Sequence, residues 1–379
     1  MALEGILNIL KPPGMTSHDV VSFARRALNE RKIGHGGTLD PQAAGVLPVF
    51  LGPATRLADY LAGGYKAYYG EMRLGLETDT QDAWGQVTAR LPVPALTEAA
   101  IRAATLALTG DIRQEAPAYS AVKIGGESLH RLARRGQPQV GLYRSVWVGQ
   151  WDILGYTAET IRFQIVCGSG TYVRMLCRDL GRLLGSGGVM TFLLRTAVGP
   201  FALADSLTLE DVAERQAEIR GGGGGLAPKE LALWGLPQVR TAAAEARRLR
   251  QGQTVWLPDE AFQPAATAVP GQPPGLGEKR RANPAPGQSP QAAVSQDGGL
   301  TAQPPQAGAG RGVGATGQPP QAGAGQGGGA TGQSPQTPPG IRVAALDEAG
   351  RLAALGLWYP GFGARRGQGR LKPEKVFGD

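Results

Sequence analysis

The sequence predicts an α+β fold whose main sheet is largely antiparallel. Three segments alternate apolar and polar residues as half-buried strands do, namely KAYYGEMRLG (66–75), RSVWVGQWDI (144–153) and TIRFQIVC (160–167). The last two follow one another along the chain with no helical segment between them. Because strands recur in runs instead of alternating strictly with helices, this class is favoured over a doubly wound parallel sheet.

Three helices are predicted around these strands. Ser17 is expected to cap the first, which runs through HDVVSFARRAL (18–28). Thr97 precedes the second, EAAIRAATLALT (98–109). The third, TYVRMLCRDLGRLLG (171–185), carries apolar residues at helical spacing. Helices and strands of ordinary globular texture therefore fill residues 1–235.

Composition limits the possible function classes. The 379 residues suffice for two domains with cores. The net charge of +8 favours an anionic partner such as nucleic acid. With only Cys167, Cys177 and three histidines, neither a disulfide framework nor a metal site is predicted. The N-terminus lacks the pattern of a signal peptide or membrane span, so a cytoplasmic protein is expected.

A Pro-, Gly-, Gln- and Ala-rich tract occupies residues 263–340. It contains the repeat QPPQAGAGRGVGATG (303–317), which returns as QPPQAGAGQGGGATG (318–332). These units have almost no large apolar residues, so burial would not offset chain entropy of ~1–2 kcal/mol per residue. The tract is predicted to be a disordered insert. It divides the C-terminal part of the chain into residues 236–262 and 341–379.

The stretch KIGHGGTLDPQAAGVLPV (32–49) places one carboxylate, Asp40, after a glycine turn. It is not a Walker loop, because Thr-Leu-Asp stands where Lys and Ser or Thr are needed. Pro41 also blocks the helix that a dinucleotide fingerprint would open. Pro41 steers Asp40 towards an extended conformation. Two interpretations remain open: a reactive carboxylate acting as nucleophile or base, or a turn cap.

Within this stretch, GHGGTLDPQAAGVLP resembles the catalytic signature of the TruB family of pseudouridine synthases. Gly36, Gln42 and Ala44 depart from the usual residues of that signature. Five further segments resemble the family's other motifs in order: ILNILKPPGMTSHDVV, YKAYYGEMRLGLETDTQDAWGQV, QEAPAYSAVKIGGESLHRLARRG, GSGTYVRMLCRDLGRLLG and LLRTAVGPF. The resemblance implies a pseudouridine synthase fold for residues 1–235. AEARRLRQGQTVWLP and IRVAALDEAGRLAALGLWYPG resemble a PUA-like RNA-binding β domain, which would comprise 236–262 and 341–379.

The resemblance implies a tRNA pseudouridine synthase that isomerises uridine 55 in the T arm without any cofactor. Asp40 would be the catalytic carboxylate, attacking C1′ of the sugar or abstracting a 2′ proton. Arg174 would pair with Asp40, because a neighbouring Arg favours the ionised form of a carboxylate. Tyr68 would stack on the flipped base and Tyr172 would line the pocket. Tyr69, on the opposite face of its strand, is expected in the core.

Three further substrate-binding residues follow from the same resemblance. His35 would stack where the flipped base had been, and Leu193 would form an apolar pocket wall. Lys11 would contact RNA or fix the Asp40 loop. Without the resemblance these are ordinary positions: a turn histidine, a core leucine and a solvated lysine, with Tyr68 and Tyr172 as packing residues and Arg174 as a helix charge. The expected partner is the tRNA T arm, and a monomer is expected.

Two alternatives belong to other classes. One is a non-catalytic RNA-binding or RNA-folding module, and the other is a guide-dependent synthase acting on ribosomal RNA. A pure binder has no need for Asp40, Tyr68, Tyr172 and Arg174 together. LTEAAIRAATLALTG resembles an insertion of stand-alone members and favours action without a guide. Basic stretches would contact RNA phosphates or form solvated faces: residues 25–32, residues 129–136, and Arg365, Arg366, Arg370, Lys372 and Lys375.

Overall fold

The structure, a computed structural model, describes residues 3–62, 64–120, 122–264, 340–360 and 368–377. The predicted insert, apart from its first two residues and its last, and its repeats lie outside the described residues, as do Arg365 and Arg366. All described residues belong to one compact unit of the chain. Within them, no helix combines the length and apolar character needed to cross a membrane.

The strands of the described residues are β1 Gly5–Lys11, β2 Ile33–His35, β3 Ala44–Leu51, β4 Lys66–Leu74, β5 Leu76–Thr78, β6 Val87–Arg90, β7 Gly110–Glu115, β8 Lys123–Ile124, β9 Glu127–Ser128, β10 Tyr143–Tyr156, β11 Thr160–Cys167, β12 Gly188–Val198, β13 Phe201–Ala202, β14 Leu226–Ala227, β15 Gln238–Arg240, β16 Val255–Pro258, β17 Phe262–Gln263, β18 Ile341–Leu346, β19 Leu352–Tyr359 and β20 Gln368–Val376.

The α-helices of the same residues are α1 Ser17–Leu28, α2 Ala58–Ala62, α3 Glu98–Ala107, α4 Leu129–Arg134, α5 Val173–Leu183, α6 Leu209–Glu214, α7 Gln216–Arg220 and α8 Ala243–Arg250. Short 3₁₀ segments occupy Gly52–Leu57, Leu203–Asp205, Lys229–Leu233 and Asp259–Ala261.

The main sheet has the order β14-β1-β3-β12-β4-β11-β10-β7, with β2 added to β3 and β13 to β12. Every pairing in it is antiparallel except β3 with β12, where Ala44 and Gly45 face Leu194 and Arg195 in parallel. The predicted α+β class with a largely antiparallel mixed sheet is confirmed. The three strands predicted from alternation are β4, β10 and β11, and the helices predicted after Thr97 and over residues 171–185 are α3 and α5.

The first helix begins differently from the prediction, because Thr16 rather than Ser17 is its cap. The Thr16 hydroxyl accepts a bond from the Asp19 amide at 3.1 Å, and the Asp19 carboxylate accepts one from the Thr16 amide at 2.9 Å. This reciprocal capping box needs the acidic residue three positions after the cap, which only Thr16 has. Ser17 instead bonds the backbone of Leu39 on the loop that carries Asp40.

A second sheet, of order β16-β20-β19-β18-β15-β17, is built from residues on both sides of the insert. Its apolar residues enter a cluster shared with the main sheet, in which Leu346 and Leu355 pack with Phe50, Leu57 and others. The domain boundaries at 235, 262 and 341, and the PUA-like identity of this sheet, stay predictions.

One face of the main sheet packs on both long helices: α5 covers a core in which Met72, Phe163 and Leu176 are fully buried, and α1 contributes Val20 and Leu28 to the neighbouring core. The opposite face buries Ile6 and Phe50 in a third cluster. Tyr69 was wrongly expected in the core: it is half-buried, with its ring edge-on to the exposed Phe192 at 6.0 Å. The loop between β2 and β3 runs beside the β3–β12 junction and carries the candidate site.

Candidate active site

Asp40 lies on the loop between β2 and β3, and Lys11 anchors this loop by hydrogen bonds. Lys11 is fully buried, and its ammonium donates to the carbonyls of Pro12, Met15 and Pro41 at 2.8, 2.6 and 3.0 Å. Burial lowers the pKa of Lys11 to about 8, although the nearby Asp40 charge opposes that shift. All three ammonium protons are therefore committed to the backbone that surrounds Asp40.

The Asp40 carboxylate is held by the guanidinium of Arg174 on α5. Nε of Arg174 donates to Oδ2 at 2.8 Å and Nη2 donates to Oδ1 at 3.3 Å. The same guanidinium donates to the carbonyls of Thr80 at 2.7 Å and Tyr119 at 3.1 Å. Its side chain is 6% exposed, whereas that of Asp40 is 38% exposed. The carboxylate is thus fixed by a buried cation and keeps one side open to a ligand.

Asp82 is a site residue that sequence reasoning missed. Its Oδ2 lies 3.9 Å from Nε of Arg174, so one guanidinium faces two carboxylates. The turn that presents it is rigid, since Oδ1 accepts from the Thr80 hydroxyl at 2.6 Å and from the Trp84 amide at 3.2 Å. The sequence signal for it was only its position within the segment ETDTQDAWGQV.

Tyr68 projects from β4 and is almost completely buried. Burial raises the pKa of Tyr68 to about 12, against a hydrogen bond with Arg195 that lowers it, so the phenol stays protonated. Leu193 is likewise buried and belongs to the same hydrophobic cluster, together with Leu39 of the Asp40 loop. Tyr68 and Leu193 therefore form an apolar wall beside the loop.

Arg195 on β12 is the second functional candidate that the sequence did not reveal. It is fully buried, and it donates to the carbonyls of Val46 at 2.8 Å, Thr38 at 3.3 Å and Gly37 at 3.2 Å. Burial lowers the pKa of Arg195, while its contact with Tyr68 raises it. One buried cation thus connects the Asp40 loop to the phenol of Tyr68.

Tyr172 is the N-cap residue of α5, two positions before Arg174. Its backbone is bonded at both polar atoms by the side-chain amide of Gln114. The guanidinium of Arg144 lies 5.6 Å from the centre of its ring. Tyr172, at the N-cap, and Arg174, in the first turn, therefore both lie at the start of α5.

His35 ends β2 and is half-buried, and its Nδ1 accepts a hydrogen bond from the Gly37 amide at 3.3 Å. Burial and the neighbouring Arg195 charge lower the pKa of His35, which favours the neutral ring at pH 7. Lys66, at the start of β4, is also buried, and its pKa is lowered to about 8. Among the described residues, no three His, Cys, Asp or Glu side chains are grouped closely enough to hold a metal ion.

Comparison with known proteins identifies the family that shares this arrangement. Residues 25–173 match the model of the TruB family pseudouridylate synthase N-terminal domain, and residues 174–222 match that of the tRNA pseudouridylate synthase B C-terminal domain. A tRNA pseudouridine synthase B of Symbiobacterium thermophilum is 45% identical over 253 residues, which cover 66% of this chain and 82% of that protein. The chain belongs to the TruB family of pseudouridine synthases. TruB-family synthases are isomerases, and this chain is therefore one.

A further relative agrees with the TruB assignment, and solved structures share the fold. The tRNA pseudouridine synthase B of Xanthomonas euvesicatoria is 44% identical over 73% of this chain and 90% of its own length. Two solved structures share the fold: a Cbf5-Nop10-Gar1 complex (TM-score 0.63, 23% identity, 98% of this chain and 84% of that chain) and an H/ACA RNP bound to a substrate RNA containing 2′-deoxyuridine (TM-score 0.61, 22% identity, 99% and 85%). Both family-model matches end before β15.

Proposed function

We propose that this TruB-family enzyme converts uridine to pseudouridine at position 55 in the T arm of tRNA, acting without a guide RNA. The observation that carries the proposal is Asp40, a carboxylate gripped at both oxygens by Arg174 and still 38% exposed. Relatives named tRNA pseudouridine synthase B support tRNA as the substrate. We also propose that the enzyme is cytoplasmic and acts as a monomer.

The reaction needs only a carboxylate and a base that has left its stack. The N1–C1′ bond of uridine breaks, the uracil turns and C5 bonds to C1′; C5 then loses its proton and N1 gains one, so the product is an isomer of the substrate. Asp40 would either attack C1′ or take a proton from C2′ while the bond breaks. Arg174 would fix the direction of the attacking oxygens, and the buried Lys11 and Arg195 would hold the loop that carries them.

Base flipping has a cost that the site must offset. Extruding a base costs a few kcal/mol, whereas contact with an aromatic ring returns about 1–3 kcal/mol. Tyr68 and Tyr172 would supply that aromatic contact, and Leu193 would add an aliphatic wall around the uracil. His35, whose pKa is lowered by burial, would fill the vacated position in the RNA stack and would take no part in proton transfer.

The test is incubation of the purified chain alone with an unmodified tRNA transcript, followed by chemical mapping of pseudouridine. Product at the T-arm uridine is expected, and Asp40→Asn should abolish it because an amide is neither nucleophile nor base. Asp111→Asn is the matched control, since Asp111 is an exposed aspartate on β7, and it should retain activity.

Each other outcome contradicts a different part of the proposal. Product that persists in Asp40→Asn would show that another residue performs the chemistry. Product only at a different uridine would show that the T-arm assignment is wrong. A requirement for an added guide RNA would favour the guide-dependent alternative.

A further inference from the structure

Gln114 on β7 is a polar side chain buried at the start of α5. It is 1% exposed. Its Oε1 accepts a hydrogen bond from the Tyr172 amide at 2.8 Å, and its Nε2 donates to the Tyr172 carbonyl at 3.1 Å. The Gln114 side-chain amide therefore bonds both backbone polar groups of Tyr172, in the pattern of a paired β-strand. These two bonds fix the position of Tyr172.

The residue that Gln114 holds is the one that orients the helix. The Tyr172 carbonyl also accepts from the Leu176 amide at 3.2 Å, which is the first backbone bond of α5. Tyr172 has no side-chain cap bond of its own. Arg174, which grips Asp40, follows two residues later. A shift at Tyr172 would therefore move the guanidinium relative to the carboxylate.

Neighbouring contacts make the sheet edge a rigid support for this helix end. Glu115, the next residue of β7, accepts from Nη1 of Arg178 one turn along α5 at 2.8 Å. Arg144 of β10 lies directly opposite Gln114 in the strand register, and its Nη1 donates to the Gly170 carbonyl at 3.2 Å. These contacts anchor the segment on either side of Tyr172, and Gln114 fixes Tyr172 itself.

We infer that Gln114 is a positioning residue of the isomerase site, setting the places of Tyr172 and Arg174 and, through Arg174, of the Asp40 carboxylate. The inference rests on the proposed roles of those three residues. Gln114 acts through its bonds to Tyr172 and contacts no substrate atom. Its loss should therefore slow the chemical step and leave tRNA binding intact.

The first test is Gln114→Met, which keeps the length of the side chain and removes both hydrogen bonds. The single-turnover rate of pseudouridine formation should fall by about tenfold or more, because small misplacements of catalytic groups are costly. The Kd for tRNA should change little. Asn8→Leu is the matched control: Asn8 is a buried amide on β1 that bonds the Ala202 carbonyl at 2.7 Å. It should change thermal stability but not the rate.

The second test is Gln114→Glu, compared with the unchanged chain from pH 6 to pH 9. A protonated carboxyl repeats the donor and acceptor pattern of the amide, whereas an ionised one has no donor for the Tyr172 carbonyl. Burial favours the protonated form, and the charged groups nearby are Arg113 and Glu115 on β7, Arg144 on β10 and Arg178 on α5. The rate relative to the unchanged chain should therefore fall as the pH rises.

Two results would overturn the inference. In one, Gln114→Met retains its rate, or loses rate only in proportion to stability as Asn8→Leu does. In the other, the relative rate of Gln114→Glu is the same at every pH. Failure of the proposed function is distinguishable from both, because the unchanged chain would then form no pseudouridine in tRNA.

Discussion

At the scale of residues, the site depends on buried cations that each hold a precise piece of backbone. Lys11 binds three carbonyls beneath the Asp40 loop, and Arg195 binds three more along its side. Arg174 binds two carbonyls and the carboxylate itself. A buried guanidinium is tolerated here because each of its three nitrogens donates to an acceptor. The reactive group is therefore positioned by neighbours with little freedom of their own.

Arg174→Lys is expected to lower the rate of isomerisation by about tenfold or more, because a lysine keeps the charge but not the two parallel hydrogen bonds. Single-turnover kinetics and a tRNA-binding measurement would separate rate from affinity. Arg182→Lys is the control on the same helix, where Arg182 grips Glu77 with the same geometry at 2.9 and 3.3 Å. An equal loss in both variants would argue against a special role for Arg174.

At the scale of elements, the parallel junction of β3 and β12 brings the two halves of the site together. Leu193 and Arg195 on β12 lie beside the end of the Asp40 loop because Gly45 faces Arg195 in the register. The strands approach so closely there that a Cβ on Gly45 would lie 2.2 Å from the Arg195 carbonyl oxygen. Only glycine fits this contact, and its φ of +119° is also one that other residues rarely adopt.

Gly45→Ala should lower the free energy of unfolding by more than about 2 kcal/mol, since the clash is with backbone and cannot be relieved by a rotamer change. Chemical denaturation would measure it. Gly141→Ala is the control, because Gly141 has a φ of +78° but open space around it. The control should cost only the conformational strain of about 1–2 kcal/mol. Equal losses would show that the close approach is unimportant.

Sequence patterns predicted the strands and helices that depend on local periodicity, including β4, β10, β11, α3 and α5. They failed where distant partners decide the role of a residue. Ser17 resembles a helix cap, yet Leu39 is its partner. Asp82, Gln114 and Arg195 contact their site partners across 58 to 158 residues of chain, so no short window contains their signal. The resemblance drew attention to Asp40 and Arg174, and the fold supplied their contact.

At the scale of the whole molecule, the two sheets share one hydrophobic cluster. Ala344, Leu346 and Leu355 of the second sheet pack in it with Ile6 and Phe50 of the main sheet. Arg56 lies 4.7 Å from the ring centre of Phe377, which adds a cation–π contact across the same boundary. The second sheet therefore contributes to the stability of the region that carries the site.

Deleting residues 264–338 should leave the rate of pseudouridine formation nearly unchanged, because their composition offers almost no large apolar side chains to the hydrophobic cores. The same tRNA assay and a thermal unfolding curve would test this. Ending the chain at residue 264 is the contrasting variant, since it also removes five residues of the shared cluster and should lower Tm. A large loss of activity in the internal deletion would assign the insert an active role.

The shared cluster also has a consequence for the length of RNA that the enzyme would accept. Since apolar side chains from both sheets pack in one cluster, the second sheet and the Asp40 loop are held within one compact unit. An RNA that bound both the second sheet and the Asp40 site, as the predicted PUA-like role requires, would have to match the distance between them. Lengthening such an RNA by one base pair between the two contacts would carry its target nucleoside past the carboxylate.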